Sequence, residues 1–347
     1  MLLKGIANKK ILTFGELLVR LCPDEEGSWL QQNQLPFYVG GSEANVAAAL
    51  ALWQVPVSYL SRVPDNLVGQ QLVQYLFKKG IDVSKMAFGG NRLGLYFLPK
   101  GKDLKNATVI YDRSHSSFSE LTPGMIDWDQ VLKDVGWLHF SAISPGISKN
   151  TAAVCKEAAT AAAAKGIVVS LDLNYRAKLW KWGQEPVEVM PELALHCDVL
   201  MGNIWAAEKM LGCSLDASAL KDKTKEAFLE QAALVSKNII DRFPKVKAVA
   251  NTFRFDHQPG ALHYYATLCS GENVYTSPEF EVEKVIDNVG TGDCFMAGLI
   301  YGFYKQLPLQ QTLDFAAAAA VRKLAQHGDM TSSTVSEIQN VIKAYAR

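Results

Sequence analysis

Short apolar runs alternate with longer amphipathic stretches along most of the chain, a pattern that predicts strands and helices in turn. Strands are expected at ILTFGE (11–16), VSYLSRV (57–63), WLHFSA (137–142), IVVSLDLN (167–174), CDVLMGN (197–203) and KAVANTF (247–253). Helices are expected at ANVAAALALWQ (44–54), LVGQQLVQYLFKKG (67–80) and around LEQAALVSKN (229–238). The alanine-rich runs AAVCKEAATAAAAKG (152–166) and DFAAAAAVRKLAQHG (314–328) read as tightly packed helices, since alanine favours helix and each run ends in glycine. This order predicts a mainly parallel central sheet between two helical layers, in one large α/β domain over residues 1–347 or in two modest ones. Two segments break the rhythm. Residues 17–38 and 92–113 alternate apolar and polar positions with turn signals and little helical period. They are expected to form antiparallel strands at the carboxyl-terminal edge of the main sheet, a small β-sheet lid where open α/β sheets bind ligands.

Composition narrows the function. The 347 residues are 49% hydrophobic, enough for a substantial core. The 35 basic residues balance 35 acidic ones, which gives no electrostatic footprint for nucleic acid or an anionic membrane. No apolar run is long enough to span a bilayer, and MLLKGIANKKILTFGE lacks a signal-peptide apolar core. The scattered cysteines (Cys22, Cys155, Cys197, Cys213, Cys269, Cys294) form no CxxC pair, so reduced thiols in a cytoplasm are expected. The absence of HExxH or a metal-spaced Cys/His cluster argues against a zinc enzyme. Neither a P-loop nor a GxGxxG fingerprint is present, which argues against a dehydrogenase despite the sheet.

Two glycine motifs carry candidate chemistry. In YVGGSEANVAAALALW (38–53), Gly40 and Gly41 permit close backbone approach, and Ser42, Glu43 and Asn45 sit at a helix start. Asn45 could reach a sugar hydroxyl from there; a plain turn with an N-cap is the other reading. In DNVGTGDCFMAG (287–298), Gly290, Thr291 and Gly292 set backbone N–H groups at a helix N-terminus, where anions are attracted. Asp293 falls in that helix's first turn, either facing the same pocket or capping the helix.

Taken in this order, the two motifs resemble the paired signatures of the ribokinase (PfkB) family of carbohydrate kinases. The resemblance covers nearly the whole chain and implies a ribokinase-like fold and ATP-dependent phosphorylation of a sugar hydroxyl. It also implies Asp293 as catalytic base and Gly290, Thr291 and Gly292 as anion hole. Within the family the likeness is to 2-keto-3-deoxygluconate kinases. It is carried by GELLVRLCP (15–23), GGSEANVA (40–47), GLYFL (94–98) with IYDRSHSSFSEL (110–121), and SLDLNYRAKLW (170–180). That likeness implies a sugar-acid site from Gly40, Gly41, Asn45, Tyr96, Tyr111, Arg113 and Arg176, the arginines suiting a carboxylate. It implies a nucleotide site from Asn203, Arg254, Gly290, Gly292 and Gly328, served by ATP and Mg²⁺, with room for a monovalent cation such as K⁺. A homodimer through the lid is implied as well. The sequence departs from the family pattern in three places. Ala206 stands where an Asn-x-x-Glu run would have Glu, with Glu208 two residues further on. The tyrosine–arginine element reads Tyr111-Asp112-Arg113, and NTFRFDHQPGALHY (251–264) replaces a glycine-rich nucleotide loop. The metal ligands are therefore unassigned, and Arg254 is expected on the nucleotide phosphates. Rival readings are a fructokinase- or ribokinase-type enzyme and a non-catalytic sugar-sensing homologue.

Overall fold

The computed structural model describes residues 3, 6, 9–23, 34–99, 109–221, 223–258 and 260–345. Among these, six parallel strands form the body of the main sheet, in the order Val57–Leu60, Lys10–Phe14, Val135–Ser141, Val168–Asp172, Val199–Gly202 and Ala248–Gln258. Their side chains alternate between two cores. Val168 and Val199 face one helical layer, whereas Val169 and Leu200 face the other. Helices Ser42–Leu52, Thr291–Tyr304 and Leu309–Leu324 cover the first face; Lys149–Ala164, Ile204–Leu211 and Lys225–Arg242 cover the second. The expected three-layer α/β/α arrangement is what forms.

Three local outcomes differ from the sequence expectation. VSYLSRV divides after Leu60, and Arg62–Val63 leaves the main sheet to pair with Ala87–Phe88. NTFRFDHQPGALHY folds as two long antiparallel strands, Ala248–Gln258 and Ala261–Ser270, which place Arg254 opposite Tyr264. β-branched and aromatic residues such as Thr252, Phe253, Phe255 and Tyr265 drive this pairing. The third difference lies in the lid. Its order is Phe37–Gly40, Leu18–Leu21, Gly94–Phe97 and Ile110–Asp112; the outer pairs are antiparallel, as expected, but the central pair is parallel. Leu18 and Gly94 face each other where both strands leave the body, so the two run outward side by side. The parts of the expected lid at 24–33 and 100–108 lie outside the described residues.

The helix that begins at the DNVGTGD turn is held by unusually close packing. Cβ atoms built on Gly298 and Gly302 would lie 2.5 Å from Ala316 Cα and 2.6 Å from Thr312 Cγ2. Glycine on one helix and the buried alanines 316–320 on the other let the two backbones approach. Replacing Gly298 by alanine would gain about 1 kcal/mol of helix propensity, but overpacking against a backbone atom costs about 1–3 kcal/mol. Gly298→Ala is therefore expected to lower the urea midpoint. A raised midpoint would show that the helices are free to separate.

Candidate active site

A cleft of about 550 Å³ opens at the carboxyl ends of the parallel strands, beneath the lid. Of the residues expected in the site, Gly41, Asn45, Tyr96, Tyr111, Arg113, Arg176, Asn203, Arg254, Gly290, Thr291, Gly292 and Asp293 line it. Gly40 and Gly328 do not.

Asp293 is the third residue of helix Thr291–Tyr304 and is buried, yet its carboxylate reaches across to another helix. Ser42 Oγ donates to Oδ1 at 2.6 Å and Asn45 Nδ2 donates to Oδ2 at 2.7 Å. Both donors belong to the first turn of helix Ser42–Leu52, so two helix starts converge on one carboxylate. Asn174 Nδ2 continues the chain by donating to Ser42 Oγ at 3.3 Å. Burial pushes the Asp293 carboxyl above its ordinary range, while Ser42, Asn45, Arg176 and Lys323 pull it back. A carboxylate so placed is a competent proton acceptor.

The turn before it is shaped for an anion. Gly290 has φ 79°, and a Cβ there would lie 2.0 Å from the Asp329 carbonyl oxygen, so no other residue fits. The Thr291 amide is engaged by the Asn288 carbonyl at 3.4 Å, whereas the amides of Gly290 and Gly292 have no acceptor among the described residues. Gly292 is not crowded: an added Cβ would meet Met201 Cε at 3.8 Å, an ordinary van der Waals contact.

The arginines have unequal surroundings. Arg113 is buried, and its Nε and Nη2 each lie 2.5 Å from Glu16 Oε2; Ser116 donates to Glu16 Oε1, also at 2.5 Å. Gly94 leaves room for that carboxylate, since a Cβ would come within 2.2 Å of Oε1. Half-buried Arg176 donates to its neighbour's carbonyl, Tyr175 O, at 3.0 Å and forms no ion pair among the described residues. Arg176 is thus the less compensated cation. Tyr96 and Tyr111 stack loosely, 6.3 Å between centroids, and Tyr96 donates to Asp329 Oδ2 at 2.6 Å. Gly40 is small because Asp329 Oδ2 occupies the place of its side chain. Gly328 packs beneath the Tyr38 ring and donates its amide to Asp287 Oδ2.

On the other side of the cleft, Asn203 caps helix Ile204–Leu211 by accepting from the Ala206 amide at 2.8 Å. Arg254 Nη1 donates to Asn288 Oδ1 at 3.0 Å. Exposed Lys209 and Trp205, together with Thr252 and Tyr264, complete this wall. Among the described residues no cluster of three or more His, Cys, Asp or Glu is arranged to hold a metal ion. The carboxylates that line the cleft accept hydrogen bonds within the protein.

The sequence reading missed Ser42, Glu43 and Asp172 as parts of the site, along with the ion pairs of Glu16 and Arg20. Glu43 Oε1 accepts from the Ser141 amide and hydroxyl at 2.8 and 2.6 Å, and Asp172 Oδ1 from the Asn174 amide at 3.0 Å. Burial first, and the nearby Asp293 charge in addition, push both carboxyls up to about 7. A carboxyl whose folded pKa exceeds its unfolded value of about 4 binds more protons when folded, so its contribution falls as pH rises between those values. Asp172→Asn is therefore expected to raise the unfolding free energy at about pH 8 by on the order of 1 kcal/mol or more, seen as a higher melting temperature, and to give no such gain near pH 4. An equal change at both values would contradict the burial argument.

Comparison with known proteins agrees with this geometry. The pfkB family carbohydrate kinase model matches residues 8–242 and 260–335. A 2-dehydro-3-deoxygalactonokinase of Haloferax volcanii is 26% identical over 334 residues, 96% of each chain. The crystal structure of 2-dehydro-3-deoxygluconokinase from Thermotoga maritima superposes with a TM-score of 0.87 at 32% identity, covering 96% of this chain and 99% of that one. An E. coli structure described as ribokinase II in complex with ATP and Mg²⁺ shares the fold, with a TM-score of 0.71 and 20% identity over 97% of this chain and 99% of that one. The sheet, the lid, the glycine turn with its aspartate and the family match lead to one conclusion: this chain belongs to the pfkB family of carbohydrate kinases.

Proposed function

We propose that the protein transfers the γ-phosphoryl group of ATP to the 6-hydroxyl of 2-keto-3-deoxygluconate. The observation that carries this reading is the pairing of Asp293, clamped by Ser42 and Asn45, with the open glycine-turn amides of its own helix. The sugar hydroxyl oxygen attacks the γ-phosphorus and gives its proton to an Asp293 oxygen. The bond from that phosphorus to the bridging oxygen breaks, and ADP departs with the electron pair. The amides of Gly290 and Gly292 face the charge on the transferring group and offset its repulsion by Asp293. Thr291 contributes its place in the turn, its hydroxyl donating to the Asn288 carbonyl at 2.9 Å.

The acid substrate is supported by Arg176, with Arg113, paired to Glu16, lining the same cleft. Tyr96 and Tyr111 form a wall for the sugar's carbon skeleton, and Gly41 lets the chain turn tightly into the helix that carries Ser42 and Asn45. ATP is assigned to the opposite wall, with Asn203 and Arg254 near its phosphates. Mg²⁺ carried on ATP would neutralise phosphate charge there. A homodimer through the lid is part of the proposal, supported by the exposed Phe37 and Ile110 on its outer strands. A cytoplasmic location is supported by the six cysteines, all buried and unbridged.

Asp293→Asn keeps the side chain's shape and removes the base. Sugar-acid binding by calorimetry is expected to persist, while ATP-dependent ADP release falls at least about a hundredfold. A variant with parental kcat would overturn the assignment of Asp293. Absence of ADP release from the parent with any sugar would favour a sensing role, the reading that Ala206 in place of Glu invites.

A further inference from the structure

Lys323 lies in the last turn of helix Leu309–Leu324, where cations commonly face solvent and the helix dipole. Its neighbour Arg322 does so, reaching Glu337 at 3.4 Å. Lys323 instead turns inward and is fully buried. Its Nζ donates to the Gln326 carbonyl at 3.4 Å and makes no ion pair among the described residues. An ammonium group held in the interior on one long hydrogen bond is costly unless nearby negative charge compensates it.

The charges around it come from every element packed against it. Asp287 precedes the glycine turn, Asp329 follows the lysine's own helix, Arg20 enters from the lid, and Asp293 and Cys294 lie on the facing helix. Asp287 and Asp329 already receive Arg20, and Tyr96 and two backbone amides bond them further. The side chain of Lys323 itself runs up against the back of the turn: a Cβ added to Gly290 would lie 3.4 Å from Lys323 Cε. The amides of Gly290 and Gly292 in that same turn have no acceptor among the described residues.

We propose that Lys323 is a positioning residue for phosphoryl transfer: its buried ammonium, set behind the Gly290–Gly292 turn, supplies a fixed positive charge that acts through the turn on the transferred phosphoryl group. This rests on the kinase reading above. A charge fixed in a dry interior needs no reorganisation as the reaction proceeds, so it favours the charge distribution of the transition state more than that of bound substrate. It also helps keep Asp293 ionised beside an anion. A lysine that only balanced Asp287 and Asp329 would contribute to folding and leave turnover untouched.

The test compares the parent with Lys323→Met and Lys323→Arg. In the Met variant kcat should fall about tenfold or more while both KM values change less than about threefold. Without the lysine charge Asp293 holds its proton more tightly, so the acid limb of the kcat profile should move to higher pH. The Arg variant, which keeps the charge, should recover much of the rate. Calorimetry with MgADP, alone and with tetrafluoroaluminate, gives an answer independent of the sugar: the Met variant should lose the tightening that fluoroaluminate gives the parent, with MgADP affinity unchanged. If the Met variant does not fold, Lys323→Gln provides the uncharged comparison. A lower melting temperature with unchanged kcat, acid limb and fluoroaluminate affinity would overturn the inference. If the parent shows no turnover with the sugar acid, the substrate reading fails, and the fluoroaluminate comparison still decides the role of Lys323.

Discussion

Arg20 leaves the lid strand Leu18–Leu21 and buries its guanidinium between two carboxylates that belong to neither the lid nor each other's loop. It lies 2.5 Å from Asp287 Oδ2, at the start of the DNVGTGD turn, and 3.0 Å from Asp329 Oδ1, in the loop after helix Leu309–Leu324. Tyr38 covers it at 4.7 Å, and Tyr96 from the adjacent lid strand donates to Asp329. Asp287 Oδ1 in turn accepts the Val289 amide at 3.1 Å, which fixes the entrance to the glycine turn. Taking such ions out of water costs several kcal/mol each, offset here by the Arg20–Asp287 hydrogen bonds and by charge alone where Arg20 Nε and Asp329 Oδ1 approach without a hydrogen bond. Its consequence is mechanical. The sheet that covers the acceptor site and the turn that would meet the phosphoryl group share one buried junction, and Glu16 with Arg113 makes a second. The lid is pinned at its root on both sides.

That rigidity serves a region that is electrostatically unfavourable by itself. Glu43, Asp172 and Asp293 are all buried near the carboxyl edge of the sheet, and each is held above its ordinary pKa by lost hydration. Asp293 is the one gripped through both oxygens by side-chain donors, Ser42 and Asn45, which favours its ionised form. Arg176 and Arg254 line the same cleft, and the buried Lys323 packs against Gly290 of the turn. Burying three carboxyls in one region lowers stability near neutral pH, a cost that folds commonly carry at functional sites.

Much of this was legible in the sequence because it follows from local rules. Alternating β and α patterns specified the parallel sheet, and two glycine motifs before helices located both halves of the cleft. The opening GELLVRL even contained Glu16 and Arg20, yet nothing in a one-dimensional pattern says that Arg20 meets residues 267 and 309 positions away. Long-range ion pairs carry no periodicity. The same limit explains the parallel centre of the lid, which depends on where two distant segments leave the body. It also explains Gly40 and Gly328, expected in the ligand sites: the neighbours that require glycine there, Asp329 and Tyr38, come from other parts of the chain. Arg113 was legible as a cation, while its compensation by Glu16 was not.

Selection of a carboxylated sugar is the claim on which the functional account rests, and Arg176 is the cation that makes it plausible. The direct measurement is kcat/KM with ATP for 2-keto-3-deoxygluconate and its galactonate-derived epimer, set against fructose and ribose. The account predicts that a keto-deoxy acid is preferred over both neutral sugars by about a hundredfold or more, the scale of one charge-assisted contact left unmade. Equal or greater kcat/KM for fructose or ribose would contradict it.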